Sequence, residues 1–295
     1  MNDSLSAVAD LFDVLPDAVI VVDGSGRIAL ANSAVHRVLG YAAAELVGRS
    51  LGCLIPENYR AQHERHLAQF RRQGQPRAMG SRPVLNALGK SGTEMPVSIS
   101  ISNLDIQDER FSVAVIRDAS AVRDRLREAI VQAESDVLTG IGNRLHLTQR
   151  MQKLLAASRP FGLLFLDLKQ FKRLNDEHGH KIGDEVLRLV AKRIQALVRT
   201  QDVAVRLGGD EFVVLFDLIS DPQLLAARAS AIVESIEQPF RIDGVSGMIG
   251  VNIGGAIHLR DGNTEEELIA VADRNMYRAK RSQRPYCIDP SPIDS

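Results

Sequence analysis

Apolar and polar positions along the first 117 residues come in short runs separated by turn residues. "AVIVVDGSGRIALAN" reads as strand, tight turn, strand, with Asp23-Gly24-Ser25-Gly26 at the turn. In "SAVHRVLGYAAAELVG", Val35, Val38 and Leu39 recur at helical spacing and Gly40 stands where a C-cap is expected. Pro56 opens a further predicted helix, "ENYRAQHERHLAQFRRQG", closed by Gly74. Strands are predicted around "RPVLNALGKSGTEMPVSISISN" and "RFSVAVIRD", with Lys90-Ser91-Gly92-Thr93 as a hairpin turn.

The pattern then changes twice. Residues 118–135 hold neither glycine nor proline, and Val122, Leu126, Ala129 and Ala133 recur at alternating steps of four and three. That spacing predicts a short coiled-coil seam, against the plainer reading of a solvated connecting helix. Its place between two patterned regions favours a parallel dimer stalk. From residue 136 longer units alternate. "FGLLFLDL" is a buried strand, "GDEVLRLVAKRIQALVR" an amphipathic helix and "DVAVRLGGDEFVVLFDL" a hairpin. A helix ("LLAARASAIVESIEQPF"), a strand ("GMIGVNIGGAIHL") and a closing helix ("TEEELIAVADRNMYRAKR") follow. Such interleaving predicts an α+β domain, a sheet covered by helices on one or both faces. The expected divisions are 1–117, a helical linker over 118–135, a second domain over 136–286 and a tail over 287–295.

Composition narrows the partners. The 295 residues are 45% hydrophobic and 25% charged, the profile of a soluble globular protein, with a formal net charge of −1. No general field draws nucleic acid or acidic lipid, so DNA and RNA are not expected partners, and phosphate binding must be local. No apolar run approaches the roughly 18 residues of a membrane span. "MNDSLSAVADLFDVLPDA" lacks a basic n-region; the expectation is a cytoplasmic protein without membrane insertion. Cys53 and Cys287 stand far apart without CxxC spacing, against a disulfide framework or structural zinc.

The chemistry gathers around "RLGGDEFVVLF", residues 206–216. Gly208-Gly209-Asp210-Glu211 is good turn chemistry in its own right. Asp167, however, ends another buried run, "GLLFLD". If the two strands are neighbours, Asp167, Asp210 and Glu211 cluster and repel unless cations neutralise them. Oxygen ligands without His or Cys favour Mg²⁺ or Mn²⁺, and two such ions suit an in-line phosphoryl transfer. The glycines allow a triphosphate close to the backbone. Lys172 can reach a phosphate, and the amide of Asn175 with the carboxylate of Asp184 can read a guanine edge; the plainer alternative is polar residues on a solvated helix and an N-cap. Lys280 and Arg284, four apart, are expected on one face of a helix to grip phosphates, or else form its solvated basic end.

"DVLTGIGNR", "FLDLKQFKRLNDEHGHKIGDEVL", "RLGGDEF" and "ADRNMYRAK" resemble, in order and spacing, the diguanylate cyclase (GGDEF) domain over roughly residues 134–286. The resemblance implies a ferredoxin-like palm that condenses two GTP into cyclic di-GMP and two diphosphates across a homodimer. It implies Asp167, the Leu168 carbonyl and Asp210 as ligands of two metal ions per site. Asp210 would also serve as base, with Glu211 beside it and Lys172 stabilising the transition state. Asn175, His180, Asp184, Gly208 and Gly209 resemble substrate contacts, and Lys280 and Arg284 phosphate clamps. Arg199 and Asp202, in "RTQD", resemble an RxxD site where the product inhibits. Two departures stand out: Gln283 where glycine is usual and Asn252 for serine in "VNIGGA", neither expected to touch the metal centre.

The first domain resembles a PAS sensor through "LPDAVIVVDGSGRIALANSA", "GYAAAELVGRSL", "KSGTEMPVSISIS" and "IRDAS". Leu51 in "GRSL" replaces the cysteine of photoactive flavin PAS domains, which argues against light sensing. His63 resembles the proximal haem ligand of oxygen-sensing PAS domains; an empty or small-ligand pocket is the favoured alternative. A competing function is a degenerate receptor that only binds GTP or cyclic di-GMP. Loss of a hairpin carboxylate or of Lys172 would mark it, and none is lost. An enzyme making a mixed purine product is disfavoured by Asp184.

Overall fold

The computed structural model describes residues 9–63, 65, 77–78, 84–106 and 109–288. The chain divides into two compact units, Met1–Glu128 and Ala129–Ser295.

In the first unit, β1 (Ala18–Val22) and β2 (Ile28–Ala31) form the expected strand–turn–strand. Asp23 closes the turn by accepting from the Ser25 and Arg27 N–H groups, and Gly26 takes φ 89°. The next segment splits in two. Helix α1 (Ala34–Leu39) stops at Gly40, whose φ of 78° is the left-handed cap that glycine tolerates best. A separate turn, α2 (Ala43–Leu46), follows. Strands β3 (Arg77–Ala78), β4 (Leu85–Leu88), β5 (Glu94–Ile106) and β6 (Glu109–Asp118) complete an antiparallel sheet ordered β2-β1-β6-β5-β3, with β4 also on β5. All of β1 is buried because both its faces are covered. Ala18, Ile20 and Val22 join Val35, Leu39 and Leu46, while Val19 and Val21 meet Phe111 and Val113. Beyond Pro56, a 3-10 turn (Glu57–Tyr59) leads into helical residues 60–63; the remainder of the helix predicted through Gly74 lies largely outside the described residues.

Helix α3 (Ser120–Glu134) contains no buried residue. Val122 and Leu126 of the predicted seam are 61% and 55% exposed in the single chain.

The second unit runs α4 (Arg144–Ala156), β7 (Phe161–Lys169), α5 (Phe171–His178), α6 (His180–Gln195), β8 (Val203–Gly208) and β9 (Glu211–Asp217). It continues with α7 (Pro222–Ile236), the hairpin β10 (Phe240–Ile242) and β11 (Val245–Gly247), then β12 (Gly250–Ile257), α8 (Glu265–Arg281) and β13 (Tyr286–Cys287). The sheet order is β13-β12-β7-β9-β8. Leaving β13 aside, this is the βαββαβ arrangement of a ferredoxin-like fold. One sheet face carries Leu164, Leu166, Phe212 and Val214 against Val190 of α6 and Leu225 of α7. The other carries Leu163, Phe165, Val213 and Leu215 against Met151 of α4 and Ala272 of α8. Burial on both faces explains why "FGLLFL" reads as an unbroken apolar run.

Candidate active site

Strand register builds the site. β9 sets Glu211 opposite Asp167 of β7, and β12 sets Asn252 opposite the same residue. Directly paired residues share a face, so Asn252, Asp167 and Glu211 form a row across three strands. That face is the one covered by α4 and α8. Asn252 is thus the cross-strand neighbour of a predicted metal ligand, because β12 pairs with β7.

The hairpin tip is a two-residue loop, Gly209-Asp210, between the paired Gly208 and Glu211. Gly208 at φ 147° and Gly209 at φ 53° adopt backbone that side chains disfavour, next to a register shift after Arg206. The Leu168 N–H donates to the Asp210 carbonyl at 3.3 Å, tying the tip to the end of β7. The neighbouring strands that the predicted cluster requires are thus present.

The charges respond to one another. Burial, then the Asp210 and Asp167 carboxylates, push the Glu211 carboxyl above the usual range. The Lys280 ammonium donates to Asp167 Oδ2 at 3.0 Å, and that bond and the Asp167 charge raise it, with a further contribution from Asp210. Lys280 therefore reaches the Asp167 carboxylate itself. Arg284 does not lie on the same helix. α8 ends at Arg281, Gln283 takes a left-handed φ of 55°, and the Arg284 N–H closes back on the Ala279 carbonyl at 3.1 Å. The expectation of a shared helix face fails because the chain turns at Gln283.

Among the described residues, no three His, Cys, Asp or Glu side chains form a ready-made metal cage. The predicted set asks for less, two carboxylates and the Leu168 carbonyl. These are hard oxygen donors that fit Mg²⁺ or Mn²⁺ when nucleotide oxygens supply further positions.

Sequence reasoning missed the support beneath the tip. Arg206 Nε and Nη2 donate to the Gly209 carbonyl at 3.0 and 2.8 Å, while Nη1 reaches Asp136 at 3.2 Å. Asp136 also accepts from the Thr139 N–H and hydroxyl, at 2.9 and 2.5 Å. Burial alone would raise its carboxyl; the bonds from Thr139 and Arg206 outweigh that and hold it below the ordinary value.

The predicted nucleotide contacts lie on the helix pair after β7. Lys172 is exposed on α5, and Asn175 is half-buried on the same helix. His180 is exposed and Asp184 half-buried, both in the N-terminal part of α6. Asn175 Oδ1 is buried without a hydrogen-bond partner, at Gly183. Arg199 is exposed. The Asp202 carboxylate caps its own loop, accepting from the Arg199 N–H at 3.0 Å and the Asp217 N–H at 3.1 Å. Both residues line a cleft of about 450 Å³ whose other walls include Glu134, Gly142 and His146. His63 is half-buried in the helical turn after Tyr59.

A ferredoxin-like sheet with an acidic glycine hairpin joining β8 and β9, beside the end of β7, defines an α+β palm. The diguanylate cyclase, GGDEF domain family matches residues 133–285, and the PAS fold matches residues 7–119. The chain belongs to the GGDEF family and carries a PAS domain ahead of the palm. An uncharacterized signaling protein of Caulobacter vibrioides is 33% identical over 292 residues, 96% of this chain and 34% of that protein. The bifunctional diguanylate cyclase/cyclic di-GMP phosphodiesterase MucR of Pseudomonas aeruginosa is 38% identical over 197 residues, 65% of this chain and 29% of MucR. The chain thus spans about a third of the length of these relatives. The coiled coil and GGDEF domain of DgcB from Caulobacter crescentus, solved in complex with c-di-GMP, superimposes with a TM-score of 0.51 at 25% identity. That likeness covers 57% of this chain and 91% of that one. Among the described residues no helix is long and apolar enough to cross a membrane.

Proposed function

We propose that this chain is an active diguanylate cyclase, joining two GTP across a homodimer into cyclic di-GMP and two diphosphates. The observation that carries it is the intact acidic tip, with Asp167, Asp210 and Glu211 brought together by strand register and by the Leu168–Asp210 bond. A degenerate domain is marked by loss of a hairpin carboxylate or of Lys172, and this chain keeps them all.

Asp167, the Leu168 carbonyl and Asp210 would hold the divalent cations. When bound, these supply charge neutralisation and make the attacking 3′-hydroxyl more acidic. An Asp210 carboxylate oxygen accepts the hydroxyl proton as the O3′–Pα bond forms and the bond from Pα to diphosphate breaks. Lys172 meets the leaving charge. Lys280 exchanges Asp167 for a phosphate oxygen once a nucleotide is present, and Arg284 approaches from the chain beyond α8. Gly208 and Gly209 leave their backbone open to the triphosphate. Asn175 and Asp184 read the guanine edge beside His180. One copy supplies half of the reaction, so two hairpins must face each other. Product accumulates at Arg199 and Asp202 and inhibits; the PAS domain sets the rate through α3.

The chain with Mg²⁺ and GTP should produce cyclic di-GMP along a progress curve that flattens as product accumulates. Asp210→Asn should lower turnover at least a thousandfold, the loss of several kcal/mol of transition-state stabilisation. Arg199→Ala should keep the initial rate and flatten later. Turnover by Asp210→Asn near the wild-type rate would sink the catalytic assignment. An unchanged plateau for Arg199→Ala would remove the feedback site alone.

A further inference from the structure

Gly183 sits inside α6, buried, and nothing in its backbone calls for glycine. It is not among the residues with positive φ. Glycine within a helix is less favourable than alanine, so the position gives up helical stability. The reason is space. A Cβ at Gly183 would stand 1.8 Å from Asn175 Oδ1, 2.8 Å from Asn175 Cγ and 3.3 Å from Phe171 Cζ. The Asn175 amide therefore rests where the side chain of residue 183 would be.

That amide oxygen has no hydrogen-bond partner although it is buried. A buried polar atom is normally paired, and here packing against the bare backbone at 183, not a hydrogen bond, sets its place. Asp184 is the next residue of α6. An amide on α5 and a carboxylate on α6 can read one base edge only if their separation is fixed. Contact between Asn175 and the bare backbone at 183 fixes it.

We propose that Gly183 is a positioning residue for guanine recognition, seating the Asn175 amide at a set distance from Asp184. The inference rests on the guanine-reading role proposed above for that pair. A methyl group at 183 pushes the amide off its seat, and displacements of about an ångström are enough to lose aligned hydrogen bonds. Phosphate and metal contacts, carried by β7, the hairpin and α8, stay in place. The loss should therefore fall on KM rather than on kcat.

The test compares the full chain as wild type, Gly183→Ala, Asn175→Ala and the double variant, with GTP as substrate and ATP as competitor. Gly183→Ala should raise KM for GTP about tenfold or more, change kcat by less than about threefold, and leave ATP inhibition unchanged. The double variant should be no worse than Asn175→Ala, because the group that collides is gone. Wild-type KM in Gly183→Ala, or a double variant whose losses multiply, overturns the seat while Asn175 keeps its role. If Asn175→Ala itself leaves KM unchanged, the guanine reading fails and the seat with it. Should Gly183→Ala not fold, thermal melting of the double variant decides. Recovery of folding supports the collision with Asn175, and failure to recover assigns Gly183 to general packing instead.

Discussion

Arg206 satisfies two parts of the chain with one guanidinium, the carbonyl of Gly209 at the hairpin tip and the carboxylate of Asp136. Its side chain is 12% exposed and that of Asp136 20%, so each is a poor place for an unpaired charge. Arg206→Met should destabilise the protein by about 2 kcal/mol in denaturant unfolding at neutral pH. Lysine should not rescue it, lacking the planar fork. The pH dependence has a definite sign. The Asp136 carboxyl lies lower in the folded chain than its ordinary 3.8. Its stabilisation is therefore complete above that value and lost as pH falls through the folded one. The gap between wild type and variant should narrow below about pH 4. A gap independent of pH would show that the pair contributes packing and not charge.

At the scale of elements, Gly254 and Gly255 make a controlled comparison. A Cβ at Gly254 would lie 2.0 Å from the Ala272 carbonyl and the Met276 nitrogen, backbone atoms of α8 that have nowhere to go. At Gly255 the nearest atoms are side-chain carbons of Ile288, Leu164 and Leu225, at 2.9 to 3.2 Å. Gly254→Ala should cost about 3 kcal/mol or more and Gly255→Ala about 1 kcal/mol, measured by chemical unfolding. Equal costs would mean that α8 is not held by its close approach to β12. The same approach carries Lys280 to Asp167, so Gly254→Ala should also weaken activity at sub-saturating GTP.

These elements differ in how far the sequence discloses them. The apolar run ending in Asp167 and the Gly-Gly tip are local patterns, and both are found where expected. The position of Asn252 was hidden because it depends on which strand lies beside β7, a property of the whole sheet. Arg206 and Asp136 are 70 residues apart, and no spacing rule connects them. Arg284 was misread because a helical repeat continues on paper past Gln283, where the backbone turns. Two omissions had visible signals. Leu147, Met151 and Leu154 of α4 recur at helical spacing, and Asp243-Gly244 is hairpin-turn chemistry between β10 and β11.

For the whole molecule, α3 is the element that remains unfinished. Its seam residues Val122 and Leu126 face solvent in a single chain, and a second copy of the helix is the occupant that the heptad spacing suits. Leu126→Glu should shift the full chain toward monomer in sedimentation at micromolar concentration and, if the reaction runs across two copies as proposed, lower GTP turnover at least tenfold. A variant that sediments as a monomer yet turns over GTP at the wild-type rate rules out the two-copy mechanism.

One placement governs how such a protein can be switched. β7 is bonded along both edges, to β12 and β9, and covered on both faces, so Asp167 sits on a strand braced from every side. Glu211 begins the strand beside it. Asp167 and Glu211 have no loop of their own to move in, and displacing them means disturbing the sheet. If two copies complete the reaction as proposed, what stays adjustable is their meeting. Control would then be a matter of rendezvous: a signal would silence the protein by keeping two intact grips apart, and restore it without refolding either one.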